Sequence, residues 1–357
     1  MKKRRKIGLL WVLPVLTAVL AACGSAGTAE TMSSIKIGVT LYDQYDTYVS
    51  ELMESFNSYA TQKAEETGIA INVEVYNAAN SQSTQDEQVE KMIEDDCDVI
   101  CVNLVDRTEP TVIIDQAEKN QVPIIFFNRE LVEEDLERWD QLYYVGSDAS
   151  ESGIMQGQLV VNAYKADPSL DKNGDGVLQY IILEGEAGHQ DAIVRTEFSV
   201  STIMDNGINV EKLSYATANW NRAQAQTKMA QMLTQYGDAI ELVLANNDDM
   251  ALGAIDELKA EDIPLEDWPA VVGIDGTDVG VDAVVAGEMI GTVYQDSDGQ
   301  AREMLNLAFA LSTDGDLSGL DLQDGKYIRL PHHIITAETL AEETAETKDS
   351  TDSSEQE

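Results

Sequence analysis

The segment DKNGDGVLQ, which begins at Asp171, has the oxygen-bearing side chains and glycines of a calcium-binding loop. Asp171, Asn173 and Asp175 supply oxygens at alternate positions, and Gly176 lies where such a loop must turn sharply. The twelfth residue of a helix–loop–helix calcium loop is a bidentate Glu, but here it is Ile182. The following residues, LQYIIL, predict a buried strand. Taken alone, the segment is either an incomplete calcium site or a polar turn.

Polar and aromatic residues follow many of the apolar runs, at the points where predicted strands end. Ligands of open α/β sheets bind outside the carboxyl ends of the strands, so these residues are candidates for a binding site. If two such sheets face each other, the candidates line one cleft. They are Asp46, Tyr48, Asn128, Arg129, Glu130, Gly188, His189, Gln190, Asp191, Asn246, Asn247, Asp248, Asp275, Gln295 and Asp296.

The elements that would position these residues alternate along the chain. Short apolar runs predict strands at 35–42, 71–77, 98–105, 123–128, 141–146, 179–185, 208–215, 240–246, 270–275 and 289–295. Amphipathic segments predict helices at 49–66, 85–95, 110–119, 150–165, 190–205, 219–235, 249–260, 277–287 and 297–311. Such alternation is typical of parallel sheets covered on both faces, and it occurs twice, so we predict an α/β fold with two Rossmann-like, doubly wound lobes. A final segment, YIRLPHH, follows the last long helix.

The composition limits the classes of partner. The chain has 357 residues and a formal net charge of −42. A nucleic-acid-binding protein needs a basic surface to replace phosphate counterions, so this charge balance excludes nucleic acid as the partner. The acidic surface identifies no ligand, because it is equally typical of a soluble, self-repelling protein.

The two ends of the sequence differ from the predicted folded body. Five basic residues near the N-terminus precede an apolar run at 7–22 that is short for a membrane span and ends in LAAC. This order is similar to a bacterial lipoprotein signal, so we expect removal of 1–22, lipidation of Cys23 and a flexible tether at 23–34. An ordinary signal peptide is the alternative. With lipidated Cys23, the protein would lie on the extracytoplasmic face of the cell membrane. We expect the acidic tail at 347–357 to be disordered.

The two other cysteines, Cys97 and Cys101, lie four residues apart in a predicted strand region. Four residues of a strand span roughly 13 Å, whereas the Cα atoms of a disulfide lie within about 7 Å of each other. We therefore predict two unbonded thiols in the core.

Eight stretches of the sequence, taken together and in order, resemble one family. They are IGVTLYDQYD, NLVD, VPIIFFNRE, YYVGSDASESGIMQGQL, DKNGDGVLQ, GEAGHQDAIVRT, LANNDDMALGA and GTVYQD. Between about Ile35 and Glu346 the chain is similar to the periplasmic galactose/glucose-binding proteins, in which two Rossmann-like lobes are joined by a three-stranded hinge.

The resemblance implies how the chain is divided between the lobes. The expected ranges are 35–146 plus 297–328 for the N-terminal lobe, 149–293 plus 332–346 for the C-terminal lobe, and 146–148, 294–297 and 329–333 for the crossovers. Closure around a ligand would then be a hinge motion, whose balance is shifted by ligand contacts with both lobes.

The resemblance also implies how the calcium loop is completed. In this family the last ligand comes from a distant strand, and the matching position is Glu241. The implied ligands are the side chains of Asp171, Asn173, Asp175 and Gln179, the carbonyl of Val177 and both carboxylate oxygens of Glu241. Seven oxygens with three negative charges suit Ca²⁺, which would be a structural cofactor and the only one expected.

The resemblance further implies a cleft for a neutral monosaccharide, glucose or galactose. Tyr48 and Trp220 would stack on the two faces of the ring. Hydrogen bonds to its hydroxyls would come from Asp46, Asn128, His189, Asp191, Arg195, Asn247, Asp275 and Gln295. Two positions depart from the family pattern, Tyr48 in place of Phe and Gln295 in place of Asn, so the preferred hexose stays open.

Taken singly, the same residues have plainer interpretations. Asp46, Asn247 and Asp275 would be helix N-caps, and Trp220 would be a core residue. His189 would have no functional role, and Arg195 would be an exposed charge on a helix. Their common position at strand ends favours ligand contact.

Three functions compete at this stage. The first is a monomeric, lipid-anchored receptor that delivers a monosaccharide to the permease of an ABC importer. The second is a sugar sensor that docks on a chemoreceptor or a histidine kinase. The third is a glycosidase with paired acids, for which the sequence offers no specific motif, so we expect no enzymatic activity.

Overall fold

The computed structural model describes residues 34–313 and 317–342. The expectations for the signal peptide, the lipidated Cys23, the tether up to residue 33 and the acidic tail lie outside these residues. Within the described ranges, no helix combines the length and the apolar character that a bilayer crossing requires.

The first sheet has six parallel strands, and helices cover both of its faces. Its strands are β1 (Ser34–Leu41), β2 (Ala70–Asn77), β3 (Val99–Val102), β4 (Ile124–Phe127), β5 (Leu142–Gly146) and β11 (Tyr327–Arg329), in the spatial order β11-β5-β4-β3-β1-β2. The helices beside it are α1 (Thr47–Thr67), α2 (Gln82–Glu94), α3 (Thr111–Asn120), α4 (Glu133–Leu136) and α10 (Ser297–Ser312). The side chains of β3, β4 and β5 are buried throughout, as expected of strands covered on both faces.

The second sheet repeats the same winding with four parallel strands. They are β6 (Leu178–Glu184), β7 (Val210–Thr217), β8 (Leu242–Ala245) and β9 (Ala270–Val272), in the order β7-β6-β8-β9. The helices of this lobe are α5 (Ala149–Ala166), α6 (Gln190–Asp205), α7 (Arg222–Tyr236), α8 (Asp248–Ala260) and α9 (Asp278–Val285). The two sheets confirm the predicted α/β fold with two doubly wound lobes.

The last segment of the body contributes a strand to each lobe. β11 joins the first sheet, whereas β12 (His332–Ile335) pairs antiparallel with β10 (Thr292–Gln295) beside the second sheet. The two strands are separated at Leu330-Pro331, because Pro331 has no N–H to donate to a ladder. The N–H of Leu330 instead donates to the carbonyl of Gly146, at 2.9 Å. The sequence suggested only one segment here.

Several predicted bounds need correction. The strands predicted at 270–275 and 289–295 are shorter, since the structure has Ala270–Val272 and Thr292–Gln295. The helix predicted to begin at residue 219 begins at Arg222, because Asn219 and Trp220 have left-handed backbone angles (φ +51° and +59°) that a helix cannot contain. The strand predicted at 98–105 is shorter, since it ends at Val102. Cys97 and Cys101 are buried and unbonded, as predicted.

Candidate ligand-binding cleft

One cavity between the two lobes brings together the ten residues for which the family resemblance implied ligand contacts. Six of the strand-end candidates are not part of its lining, namely Glu130, Gly188, Gln190, Asn246, Asp248 and Asp296. The empty space of the cavity amounts to about 350 Å³, which includes solvent at its mouth. Its lining residues are Tyr42, Asp46, Tyr48, Asn128, Arg129, His189, Asp191, Arg195, Trp220, Asn247, Asp275 and Gln295. Each lies at the end of a strand, just after a strand or in the first turns of the following helix, and ligands of open α/β sheets bind at this edge.

Asp46 has a helix-capping role and also faces the cavity. Its Oδ1 accepts from the N–H of Val49 at 2.9 Å, which caps α1, and its Oδ2 accepts from the Tyr42 hydroxyl at 2.5 Å. Burial raises the pKa of Asp46, and the two hydrogen bonds oppose that rise. The capping bond therefore fixes the position of a carboxylate in the cavity wall.

Two aromatic rings, Tyr48 and Trp220, form part of the lining. Both are buried, and neither the Tyr48 hydroxyl nor the indole N–H of Trp220 has a hydrogen-bond partner of normal geometry in the described chain. The Trp220 ring lies so close to Gly185 that a Cβ there would overlap it, and it meets the His189 ring edge-on at 5.0 Å. Trp220 also belongs to the core of the second lobe, so its ring is held by packing on one side and lines the cavity on the other.

Arg195 is the central cation of the second lobe. The residue is 4% exposed, so the interpretation as an exposed helix charge is wrong. Nη1 donates to the Asn246 carbonyl at 2.9 Å, and Nη2 donates to Oε1 of Gln295 at 2.7 Å. Nη2 also lies 3.6 Å from a carboxylate oxygen of Asp191, and Nη1 lies 3.8 Å from one of Asp275.

The protonation preferences of the second-lobe residues follow from burial. Burial raises the pKa values of Asp191 and Asp275, and the positive charge of Arg195 opposes both rises. Burial, together with Arg129 and Arg195, holds the pKa of His189 well below its usual range. Nδ1 of the neutral imidazole accepts from the N–H of Asp191 at 3.1 Å, which leaves Nε2 as the donor.

Asn128 and Asn247 supply amides from the two lobes. Asn128 has a left-handed backbone (φ +59°), and its Oδ1 accepts from Nδ2 of Asn103 at 3.1 Å. Asn247 caps α8 through a 3.0 Å bond from the N–H of Met250. Asp275, by contrast, caps no helix, because the N-cap of α9 is Thr277.

Tyr42 lines the cavity although the sequence did not predict it, and Arg129 lines it as a strand-end candidate to which no ligand contact was assigned. The Arg129 guanidinium lies 3.3 Å from the centroid of the Tyr42 ring. It also makes a bidentate ion pair across the lobes with Glu186, with both N–O distances at 3.0 Å. The sequence places Tyr42 after β1 and Arg129 after β4 and indicates nothing more about them. The pair formed by Arg129 and Glu186 is separated by 57 residues in sequence, so it has no local pattern.

The loop at 171–179 lies against Glu241, and the two are joined by hydrogen bonds. Glu241 is 1% exposed, and its carboxylate accepts from the N–H groups of Lys172, Asn173 and Gln179 at 2.8, 3.2 and 3.0 Å. The Lys172 ammonium donates to two backbone carbonyls, at 2.7 Å each, and so does not pair with Glu241.

The loop side chains hydrogen-bond to one another and to the loop backbone. Asp171 accepts from the N–H of Gly176, and Asp175 accepts from Nε2 of Gln179 at 3.1 Å. Nδ2 of Asn173 donates to Oε1 of Gln179 at 3.0 Å. Among residues 34–313 and 317–342, no group of three His, Cys, Asp or Glu side chains is arranged as a metal site. The predicted set has three carboxylates and takes its other oxygens from amides and a carbonyl, which suits a hard cation.

Comparisons with known proteins agree with this architecture. The model of the periplasmic binding protein domain matches residues 37–316. The D-galactose/methyl-galactoside binding periplasmic protein MglB of Haemophilus influenzae is 32% identical, over 91% of this chain and 98% of its own length. The xylitol-binding protein of Mycolicibacterium smegmatis is 31% identical, over 87% of this chain and 82% of its own. An ABC transporter solute binding protein from Bacillus halodurans, solved with bound myo-inositol, superposes with a TM-score of 0.72 at 28% identity and covers 88% of this chain and 99% of its own. The chain therefore belongs to the periplasmic binding protein family.

Proposed function

We propose that this protein is an extracytoplasmic receptor that binds a neutral monosaccharide in the cleft and delivers it to an ABC importer. The observation that carries the proposal is the composition of the cavity. Carboxylates, amides, guanidinium groups and a neutral imidazole surround two aromatic rings. Sugar hydroxyls both donate and accept, whereas the C–H faces of a pyranose pack on flat rings, so each part of a hexose has a partner.

The charges in the cavity favour a neutral ligand over an ionic one. Asp46, Asp191 and Asp275 supply three carboxylates, and Arg129 and Arg195 supply two cations. Arg195 already lies within 4 Å of two of these carboxylates, and Arg129 is paired with a carboxylate of the opposite lobe. Neither guanidinium is therefore free to neutralise an anionic ligand, whereas hydroxyl groups can donate to the remaining carboxylate lone pairs.

Glucose and galactose are the first ligands to test. The similarity to MglB supports galactose, whereas the names of other relatives point to xylitol and ribose. In our proposal Tyr48 and Trp220 stack on the sugar ring and Asp46 accepts from the hydroxyl at carbon 4, which suits either epimer. Gln295 is longer by one methylene than the Asn of the family pattern. In our proposal it fills space near Arg195 and thereby limits which sugars fit the cavity.

Two further parts of the proposal concern stability and location. Ca²⁺ would bind Asp171, Asn173, Asp175, Val177, Gln179 and Glu241 and would join the loop to β8. Lipidation of Cys23 would hold the receptor at the membrane, where the importer permease lies.

The test is a thermal-shift panel of neutral monosaccharides and cyclitols, followed by calorimetry. A ligand at roughly a hundred times its Kd should stabilise the protein by about 2.7 kcal/mol. Asp191→Asn should weaken binding of that ligand about tenfold to hundredfold, because a charged acceptor is lost. Asp205→Asn is the matched control, since it lies at the exposed end of the same helix. A flat response to every sugar would refute the proposal, and turnover of aryl glycosides would favour an enzyme.

A further inference from the structure

A buried carboxylate behind the wall of the cleft joins three segments of the second lobe. Asp248, the first residue of α8, is fully buried. Its Oδ1 accepts from the Thr292 hydroxyl at 2.6 Å, and its Oδ2 accepts from the backbone N–H and the hydroxyl of Thr277 at 2.9 and 3.2 Å. Its own N–H donates to the carbonyl of Ile274 at 2.7 Å.

Each of these three segments carries a residue that lines the cavity. Asn247 immediately precedes Asp248, Asp275 lies two residues before Thr277, and Gln295 lies three residues after Thr292. Two backbone bonds at 2.9 Å continue the network. The N–H of Asp275 donates to the carbonyl of Val293, and the N–H of Gln295 donates to the carbonyl of Asp275.

The backbone next to Asp275 needs external support. Asp275 has φ +127°, a value that L-residues rarely adopt, and Gly276 follows with φ +69°. Such a conformation is unfavourable in itself and persists only where its surroundings enforce it. The bond from the N–H of Thr277 to the Asp248 carboxylate fixes the chain directly after this strained pair.

Two glycines provide the space that the carboxylate occupies. A Cβ on Gly273 would overlap Oδ1 of Asp248, and a Cβ on Gly280 would overlap Oδ2. These glycines lie on either side of Asp275 in sequence, at the end of β9 and in α9. The backbone is therefore shaped around this carboxylate on two sides.

We propose that Asp248 is a positioning residue of the cleft, whose buried carboxylate sets the relative placement of Asn247, Asp275 and Gln295. It acts through these residues without touching the ligand. The inference rests on the proposed function only in that its binding assay uses a sugar. The placement of the loop at 273–280 can be measured in the protein without any ligand.

The experiment combines Asp248→Asn and Thr292→Val with a matched control, Thr40→Val. The amide in Asp248→Asn keeps the size of the side chain, but it has one accepting oxygen where the carboxylate has two. Thr292→Val removes one donor and leaves the carboxylate in place. Thr40 is equally buried in the first lobe and donates its hydroxyl to Gln88 at 2.7 Å, so Thr40→Val loses a comparable hydrogen bond far from the network.

Two quantities are measured, namely amide hydrogen exchange at 273–280 in the ligand-free protein and Kd for D-galactose. For Asp248→Asn we expect exchange in this segment and Kd each to rise about tenfold or more, as for loss of a bond to a charged acceptor. Thr292→Val should raise Kd about threefold to tenfold, and Thr40→Val should leave both quantities within about twofold of the wild type.

The outcomes separate the two proposals. If exchange and Kd in Asp248→Asn match those of the wild type, or if Thr40→Val raises them equally, the positioning role is refuted. Should Asp248→Asn fail to fold, Thr292→Val decides by the same comparison. If the wild type binds no sugar while exchange at 273–280 responds as expected, the sugar assignment fails and the positioning role stands.

Discussion

Closure of the cleft brings an acidic side chain of the first lobe close to acidic groups of the second. Glu51, in α1, is half-buried, and burial together with the charges of Asp278, Asp249 and Asp46 raises its pKa from 4.5 to about 7. The backbone N–H of Asp278 opposes this rise. On the same face of α1, the Thr47 hydroxyl donates to Asp249 across the lobes at 2.7 Å. Ionised Glu51 therefore disfavours the closed arrangement.

The sign and size of the effect follow from linkage. Because the pKa is raised, the closed state is penalised little below about pH 4.5, and the penalty grows as pH rises and is complete above about pH 7. The difference between 4.5 and about 7 corresponds to ~3.4 kcal/mol, of which closure accounts for a part because Asp46 lies in the same lobe as Glu51. Glu51 is only half-buried and solvent screens its charge, so we expect about 1–2 kcal/mol, which is about 5–30-fold in affinity.

The perturbation is Glu51→Gln, which removes the charge and keeps an accepting oxygen. At about pH 8 the variant should bind D-galactose about 5–30-fold more tightly than the wild type, and near pH 4.5 the two should agree within about twofold. Isothermal calorimetry at both pH values measures the difference. Glu54→Gln, at an exposed position of the same helix, controls for the loss of one acid from α1. A variant that binds more weakly at pH 8, or equally at both pH values, would show that Glu51 does not oppose closure.

Two further predictions address the metal and the choice of sugar. Chelation with EGTA should lower the melting temperature of the wild type, by the equivalent of about 2.7 kcal/mol where free calcium had been a hundred times its Kd. It should leave Glu241→Gln unchanged, and an equal response of both proteins would contradict the calcium assignment. Gln295→Asn should change the ratio of affinities for D-galactose and D-glucose about tenfold, because one methylene near Arg195 is worth about 1–3 kcal/mol. Calorimetry would measure that ratio, with the exposed Gln231→Asn as control; an unchanged ratio would exclude Gln295 from sugar selection.

Most of the residues that line the cavity could be predicted from the sequence. Ligands bind at the carboxyl ends of the strands, and the order of strands and helices is enough to locate those ends. Asp275 follows β9 and Gln295 ends β10, so alternating elements alone put both on the same edge of the second lobe. The helix at 190–205 was predicted with the bounds that it has in the structure. Buried strands and amphipathic helices have distinct patterns, and these patterns do not require knowledge of long-range contacts.

Neither long-range pairing nor local backbone strain could be predicted from the sequence. The pairing of Arg129 with Glu186 arises only when the two lobes meet, and nothing near either residue indicates it. Because Trp220 has a left-handed backbone, α7 begins only after it, although the surrounding residues favour a helix. Asp248 was recognised only as one of several polar residues after a strand, since burial distinguishes it from its neighbours and burial depends on the fold.

The buried polar atoms of the cleft explain why closure and ligand binding should be one event. The Tyr48 hydroxyl and the Trp220 indole N–H lack partners within the described protein, and a buried polar group without a partner costs about 1–3 kcal/mol. Gln295 is close enough to lower the pKa of Tyr48, but no hydrogen bond of normal geometry joins the two side chains. In the open arrangement water can satisfy both groups. In the closed arrangement a ligand with its own hydroxyl groups can do so, and such a ligand favours the closed state by its differential affinity for it.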